Sequence, residues 1–189
     1  APTSSPGTAS PIWFTLDGKG RNLPWSVMPS PPGSLLLNAP EAAPVSLRWT
    51  VDATSPTATL HLLARNPSPR QREVRFQMHP EYRLGGRAES GEDILLFPTT
   101  NGVFKLPFWI DLGERPAPAL SEDWWAVADE GAGLEMRQTF SEGWDPPRIW
   151  FGGGFYNVEM ARTLSVPPGG DASAWLSWTL SPINRKDTP

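Results

Sequence analysis

The sequence predicts an all-β fold, an antiparallel β-sandwich, and three observations predict it. Strand-like alternation of apolar and polar residues recurs from residue 45 onward. In 189 residues, 23 prolines and 17 glycines break the chain into short elements. No helical periodicity persists beyond about two turns. Proline removes a backbone donor and restricts the residue before it, so such a chain suits short strands joined by turns. Its length suits one domain with a substantial core. The expected organisation is a flexible proline-rich lead and loop-rich start over residues 1–44, a sandwich domain over 45–183 and a C-terminal tail over 184–189.

The first clear element is "VSLRWTV" (45–51), which places Val45, Leu47, Trp49 and Val51 on one face with polar residues between. "TATLHLLAR" (57–65) follows a Ser-Pro turn, and "NPSPRQ" separates it from "EVRFQMH" (73–79). A local connection would make these two antiparallel neighbours. Within the second, Val74, Phe76 and Met78 point one way and Arg75, Gln77 and His79 the other. Further strands are expected at "DILLF" (93–97), "VFKLPFWI" (103–110), "WWAVAD" (124–129), "GLEMRQTF" (133–140), "RIWF" (148–151), "FYNVEMART" (155–163) and "ASAWLSWTL" (172–180). Asp129 to Gly133 form a hairpin turn, and "SVPPGGDAS" separates the last two strands. The total is roughly nine to eleven strands.

Charge and composition narrow the function classes. With 16 basic and 20 acidic residues, the chain has no positive excess for a phosphate backbone, which argues against a nucleic-acid partner. The most apolar stretch, "ILLFPTTNGVFKLPFWIDL", is interrupted by Pro98, Lys105 and Pro107, so no membrane span is expected. The absence of cysteine excludes disulfides, thiolate ligands and a cysteine nucleophile within this chain. Two separated histidines make no transition-metal motif, and Glu92-Asp93 or Asp129-Glu130 would need further ligands to hold calcium. No nucleotide or nucleophile-elbow motif is present, so no cofactor or metal is expected. The lead "APTSSPGTASP" has the composition of a mature exported chain, so an exported location, in the periplasm, the cell envelope or outside the cell, is expected.

Three segments carry a family resemblance. In "FQMHPEYRLGG" a histidine-proline pair ends a strand; "WWAVADEGAGLEMRQTF" is a hairpin; "YNVEMARTLSVPPGGDASAWLSWTL" joins a glutamate-bearing strand, a Pro-Gly turn and a closing strand. In this order, over residues 45–180, they resemble galactose mutarotase-like (aldose 1-epimerase-like) domains, here shortened at the N-terminus. The resemblance implies a mutarotase-like supersandwich with a sugar site on its concave face. It also implies a histidine acid at the ring oxygen and a glutamate base at the anomeric hydroxyl, roles that fall by motif to His79 and Glu159. The family's additional upstream histidine and arginine have no counterpart here, since the only earlier histidine, His61, sits mid-strand.

Around that pair, Arg75 and Gln77 share the face of His79, and Asn157 shares that of Glu159. Arg83, beside Arg87, is a further candidate contact for a sugar substituent. Of ten tryptophans, Trp49, Trp125 and Trp178 lie in strong strand patterns and read as core, while Trp109, Trp124, Trp144 and Trp150 adjoin turns or polar residues and read as surface. Trp109, Trp144 and Trp150 are the stacking candidates, the last two in the loop candidate "EGWDPPRIWFGGGFYN", which also contains Tyr156. The structural alternatives are a strand-end histidine bonded to nearby backbone, a solvated glutamate and aromatic-glycine packing at a sheet edge.

Three functions follow from these features: a sandwich that binds carbohydrate or a glycosylated envelope surface without efficient catalysis, an aldose 1-epimerase, or a structural accessory subunit of an envelope assembly. The first is favoured.

Overall fold

The computed structural model describes residues 12–16, 19–21, 26–39, 45–52, 54–82, 84, 93–107, 113–152 and 155–183. Among them the chain forms two antiparallel sheets and no α-helix. The larger runs, edge to edge, through β10 (Gly102–Pro107), β9 (Asp93–Thr99), β12 (Trp124–Asp129), β13 (Leu134–Phe140), β16 (Asp171–Pro182), β6 (Thr57–Arg65), β5 (Val45–Asp52), β4 (Ser34–Ala39) and β3 (Ser26–Met28). The smaller runs through β11 (Gly113–Pro116), β14 (Arg148–Gly152), β15 (Phe155–Val166), β7 (Arg72–Met78), β1 (Ile12–Leu16) and β2 (Lys19–Arg21), with β8 (Glu81–Tyr82) paired to β15.

Along β6, β7 and β15, alternation sends every second side chain into one core between the sheets. Leu60, Leu62 and Ala64 enter it from β6, Val74, Phe76 and Met78 from β7, and Val158, Met160 and Leu164 from β15. Trp125 and Phe97, both fully buried, fill the part under β12 and β9. Each large apolar side chain removed from water contributes about 1.5–3 kcal/mol, so these alternating rows hold the sheets together. The β12–β13 hairpin turns where expected: Asp129 Oδ1 accepts the Ala132 N–H at 2.8 Å, and Gly133 adopts φ +68°.

Two expectations change. β6 and β7 are not neighbours: they lie in different sheets, and the segment between them crosses from one to the other. Asn66, 3% exposed, holds that crossing. Its Nδ2 donates to the carbonyls of Arg70 (2.8 Å), Val166 (2.9 Å) and Pro167 (3.1 Å), while its Oδ1 accepts from the Ser68 N–H and Oγ–H. The crossing wins because β6 gains both its partners, β5 and β16, within the larger sheet.

The second change is that strands begin well before residue 45, since β1 pairs with β7 and β4 with β5. The proline-rich loop expected at 28–34 contracts to a turn in which the Ser34 N–H donates to the Pro31 carbonyl at 3.1 Å and Gly33 takes φ +75°. β2 and β3 have three residues each and β4 carries three consecutive leucines, so none displays the alternation that marks a strand. The strand expected to reach residue 110 is described as far as Pro107, with 108–110 outside the described residues.

Candidate functional site

Four neighbouring strands of the smaller sheet, β11, β14, β15 and β7, place polar side chains on its outer face. Inward positions go to Ile149, Phe151, Val158, Met160, Phe76 and Met78, all fully or almost fully buried. Outward positions therefore go to Arg148 and Trp150, to Asn157 and Glu159, and to Arg75 and Gln77. Register then aligns them. Arg148 stands opposite Glu159 on one side, and Met160 opposite Met78 on the other, so the residue after Met78 faces Glu159. That residue is His79, and 80 positions of sequence separation close to a direct contact.

His79 Nδ1 lies 2.5 Å from Glu159 Oε1. Its Nε2 lies 2.8 Å from the carboxamide of Asn157, which is fully buried. The amide orientation that satisfies this network donates the Asn157 nitrogen to the Pro80 carbonyl at 2.8 Å and turns its oxygen toward His79 Nε2. Gln77 Nε2 donates to the second carboxylate oxygen, Glu159 Oε2, at 3.1 Å. Both ring nitrogens of His79 and both oxygens of Glu159 are thus engaged within the protein. Pro80 starts the turn into β8, whose Tyr82 stacks on Tyr156 (6.0 Å between ring centres) and meets Trp125 edge-on (5.2 Å) beneath the site. Burial pushes the Tyr82 hydroxyl well above the ordinary tyrosine range; burial, then the Asp93 carboxylate, does the same for Tyr156.

Beside the His79–Glu159 contact lies a trough of about 730 Å³. Its floor includes Arg75, Gln77, Glu159 and Ala161, and Pro146 and Pro147 line it from the β13–β14 connection. That connection is tied down by the Asp145 N–H, which donates to the Ala161 carbonyl at 2.8 Å, and by Asp145 Oδ2, which accepts from Arg75 Nη2 at 2.7 Å. Arg148, also lining the trough, pairs with Glu114 at 3.4 Å. Its donors and acceptors, set over partly apolar walls, match the chemistry of a hydroxylated ligand.

No protein-family model and no curated protein matches this sequence. Solved structures do match its fold. A galactose mutarotase-like protein from Lactobacillus casei superposes with a TM-score of 0.62 at 14% identity, over 89% of this chain and 80% of that one. A galactose mutarotase related enzyme from Lactobacillus acidophilus gives 0.60 at 12% identity, over 91% and 79%. The GalM/aldose epimerase homologue from C. elegans gives 0.61 at 12%, over 85% and 69%. The chain has the galactose mutarotase-like fold. At such identities the likeness speaks for the fold alone, and function must be argued from the site.

In this mutarotase-like sandwich, the residues singled out by sequence fall into three groups. His79, Glu159, Gln77 and Asn157 form the network above, with Arg75 two positions along β7 from Gln77. The second group is aromatic. Trp150 is 42% exposed on the outer face, whereas Trp144 packs partly buried against the core and donates from Nε1 to Ser141 Oγ at 3.3 Å. Tyr156 is fully buried, so the expected loop "EGWDPPRIWFGGGFYN" is for the most part the β14–β15 hairpin. Trp124 lies in the other sheet, under the Arg137 guanidinium at 4.2 Å. The third group, Arg83 and Trp109, lies outside the described residues, as do Arg87 and Glu92.

His61 is exposed on the larger sheet, between Arg48 and Trp175. Asp93 and Asp129 face each other across β9 and β12 and are buried. Sequence reading misses Asp145, Arg148 and Glu114 as site residues; the outward phase of Arg148 in "RIWF" is the one signal that could have found any of them.

Proposed function

We propose that this mutarotase-like sandwich binds carbohydrate on the outer face of its smaller sheet and does so without efficient anomerisation. The observation that supports the reading is the closed network around His79. A general acid needs a nitrogen that reaches the ring oxygen, and a general base needs a carboxylate oxygen that reaches the anomeric hydroxyl. Here His79 is held by Glu159 and Asn157, and Glu159 by His79 and Gln77. The adjoining trough, with Arg75, Gln77 and Arg148 as donors and Glu114, Asp145 and Glu159 as acceptors, has the equipment to bind hydroxyl groups. An exported location belongs to the same proposal.

Saturation-transfer NMR on several free aldoses tests this directly, with His79→Ala and Glu159→Ala measured beside the native chain. The expected result is sugar-induced shifts in residues of the trough and anomeric exchange at the background rate. Accelerated exchange that disappears in both variants would overturn the reading and make the protein an aldose 1-epimerase. Neither shifts nor exchange would leave the structural accessory role as the better account.

A further inference from the structure

We infer that the trough takes a linear, neutral oligosaccharide through its internal units and has no need of a free reducing end. The inference rests on the carbohydrate-binding reading above and names its ligand class.

Size comes first. A cavity of about 730 Å³ is several times the volume of one hexose unit, and its lining spans four strands, β7, β15, β14 and β11. Charge comes second. Among the described lining residues, two arginines face three carboxylates, and each arginine already has an acid against it: Arg75 with Asp145 at 2.7 Å, Arg148 with Glu114 at 3.4 Å. No uncompensated cation is left there to favour a phosphate or a carboxylate substituent over a hydroxyl.

Beyond the trough stands an aromatic platform. Trp150 lies two residues along β14 from Arg148 on the same outward face, flanked in register by Glu114 and Asn157. Two residues of strand advance the chain by ~6.8 Å, a distance of the order of one hexose unit. A sugar unit hydrogen-bonded at Arg148 would therefore place its neighbour over the indole of Trp150, whose 42% exposure leaves ring surface for stacking. Finally, the engaged His79 and Glu159 present nothing dedicated to an anomeric hydroxyl, so recognition falls on the ring hydroxyls that internal units also carry.

The test is a calorimetric and NMR-shift titration of the full chain with methyl glucoside, methyl mannoside and the methyl glycosides of maltotetraose, cellotetraose and mannotetraose. All lack a free reducing end; free glucose and tetragalacturonate serve as comparisons. At least one methyl tetraoside should bind about tenfold or more tighter than its methyl monoside, the increment expected of one stacked unit. It should also bind tighter than tetragalacturonate. Trp150→Ala should remove the gain with chain length, with an unchanged melting temperature showing the variant is folded.

Equal affinity for monoside and tetraoside in every series would overturn the inference. So would a gain that survives Trp150→Ala, or binding of free glucose but of no methyl glycoside. Monosaccharide shifts without a length gain would defeat this inference and leave the carbohydrate-binding reading standing. The absence of shifts with every sugar would defeat both.

Discussion

The ladder between β7 and β15 ends in a polar network at both ends, and the two networks differ in kind. At one end Asn66, 3% exposed, spends its whole amide on backbone carbonyls and on Ser68, closing the passage between the sheets. At the other, His79, Glu159, Asn157 and Gln77 bond to one another across two strands, with the His79 side chain 46% exposed beside a trough. The chemistry is similar, but water does not reach both equally. A buried group that loses its partner finds no substitute, so the Asn66 end is structural by necessity. Solvent can replace partners around His79, so losing a partner there need not unfold anything.

The sharpest way to break this comparison is to remove Asn66. Asn66→Ala removes three hydrogen bonds to carbonyls and two from Ser68, with the Arg70 and Pro167 carbonyls keeping only the Ser68 Oγ–H and the Gly170 N–H, and should lower stability by about 3 kcal/mol, read from urea denaturation. A loss below about 1 kcal/mol would mean that the crossing is held by something other than that amide.

Tyr82, partly buried beneath the His79 end, should give a middle effect. Tyr82→Phe deletes the oxygen that accepts from Trp178 Nε1 at 3.2 Å, a loss of about 1 kcal/mol at neutral pH. The sign of its pH dependence is fixed by burial. The folded state holds the Tyr82 proton at pH values where an unfolded tyrosine, with its ordinary pKa of about 10, has lost it. Stability from this group is therefore complete below that value and falls as pH rises above it. Thermal melts between neutral and strongly alkaline pH should show a shallower alkaline decline in Tyr82→Phe than in the native chain. Parallel declines would assign the slope to other groups, Tyr156 first among them.

The smallest effect belongs to His79→Ala, expected to change stability by less than about 1 kcal/mol because the contact it breaks is partly open to solvent. A loss as large as that of Asn66→Ala, in the same denaturation experiment, would erase the distinction between the two ends.

How far sequence alone reaches follows from what a period-two pattern can carry. Alternation assigns faces, so the inward phase of Phe76, Met78, Val158 and Met160 and the outward phase of Gln77, His79 and Glu159 are written in the order of the residues themselves. The bounds of β6 and β12 and the turn between β12 and β13 are equally local and equally legible. Strands too short or too uniform to alternate, such as β2, β3 and β4, are not.

Alternation does not choose partners. Pairing depends on contacts between residues far apart in the chain, and their free energy has no local trace. Only the tertiary structure separated β6 from β7 into different sheets, brought β1 back to β7, and turned a histidine and a glutamate 80 positions apart into one contact. It alone engaged both ring nitrogens of His79, paired Arg75 with Asp145, and packed Trp144 against the core while leaving Trp150 in the open. The sequence by itself determined an all-β chain with a polar histidine and a polar glutamate on outward faces. The register between distant strands decided that these two groups meet each other, because hydrogen-bonded pairing sets which outward residues stand side by side.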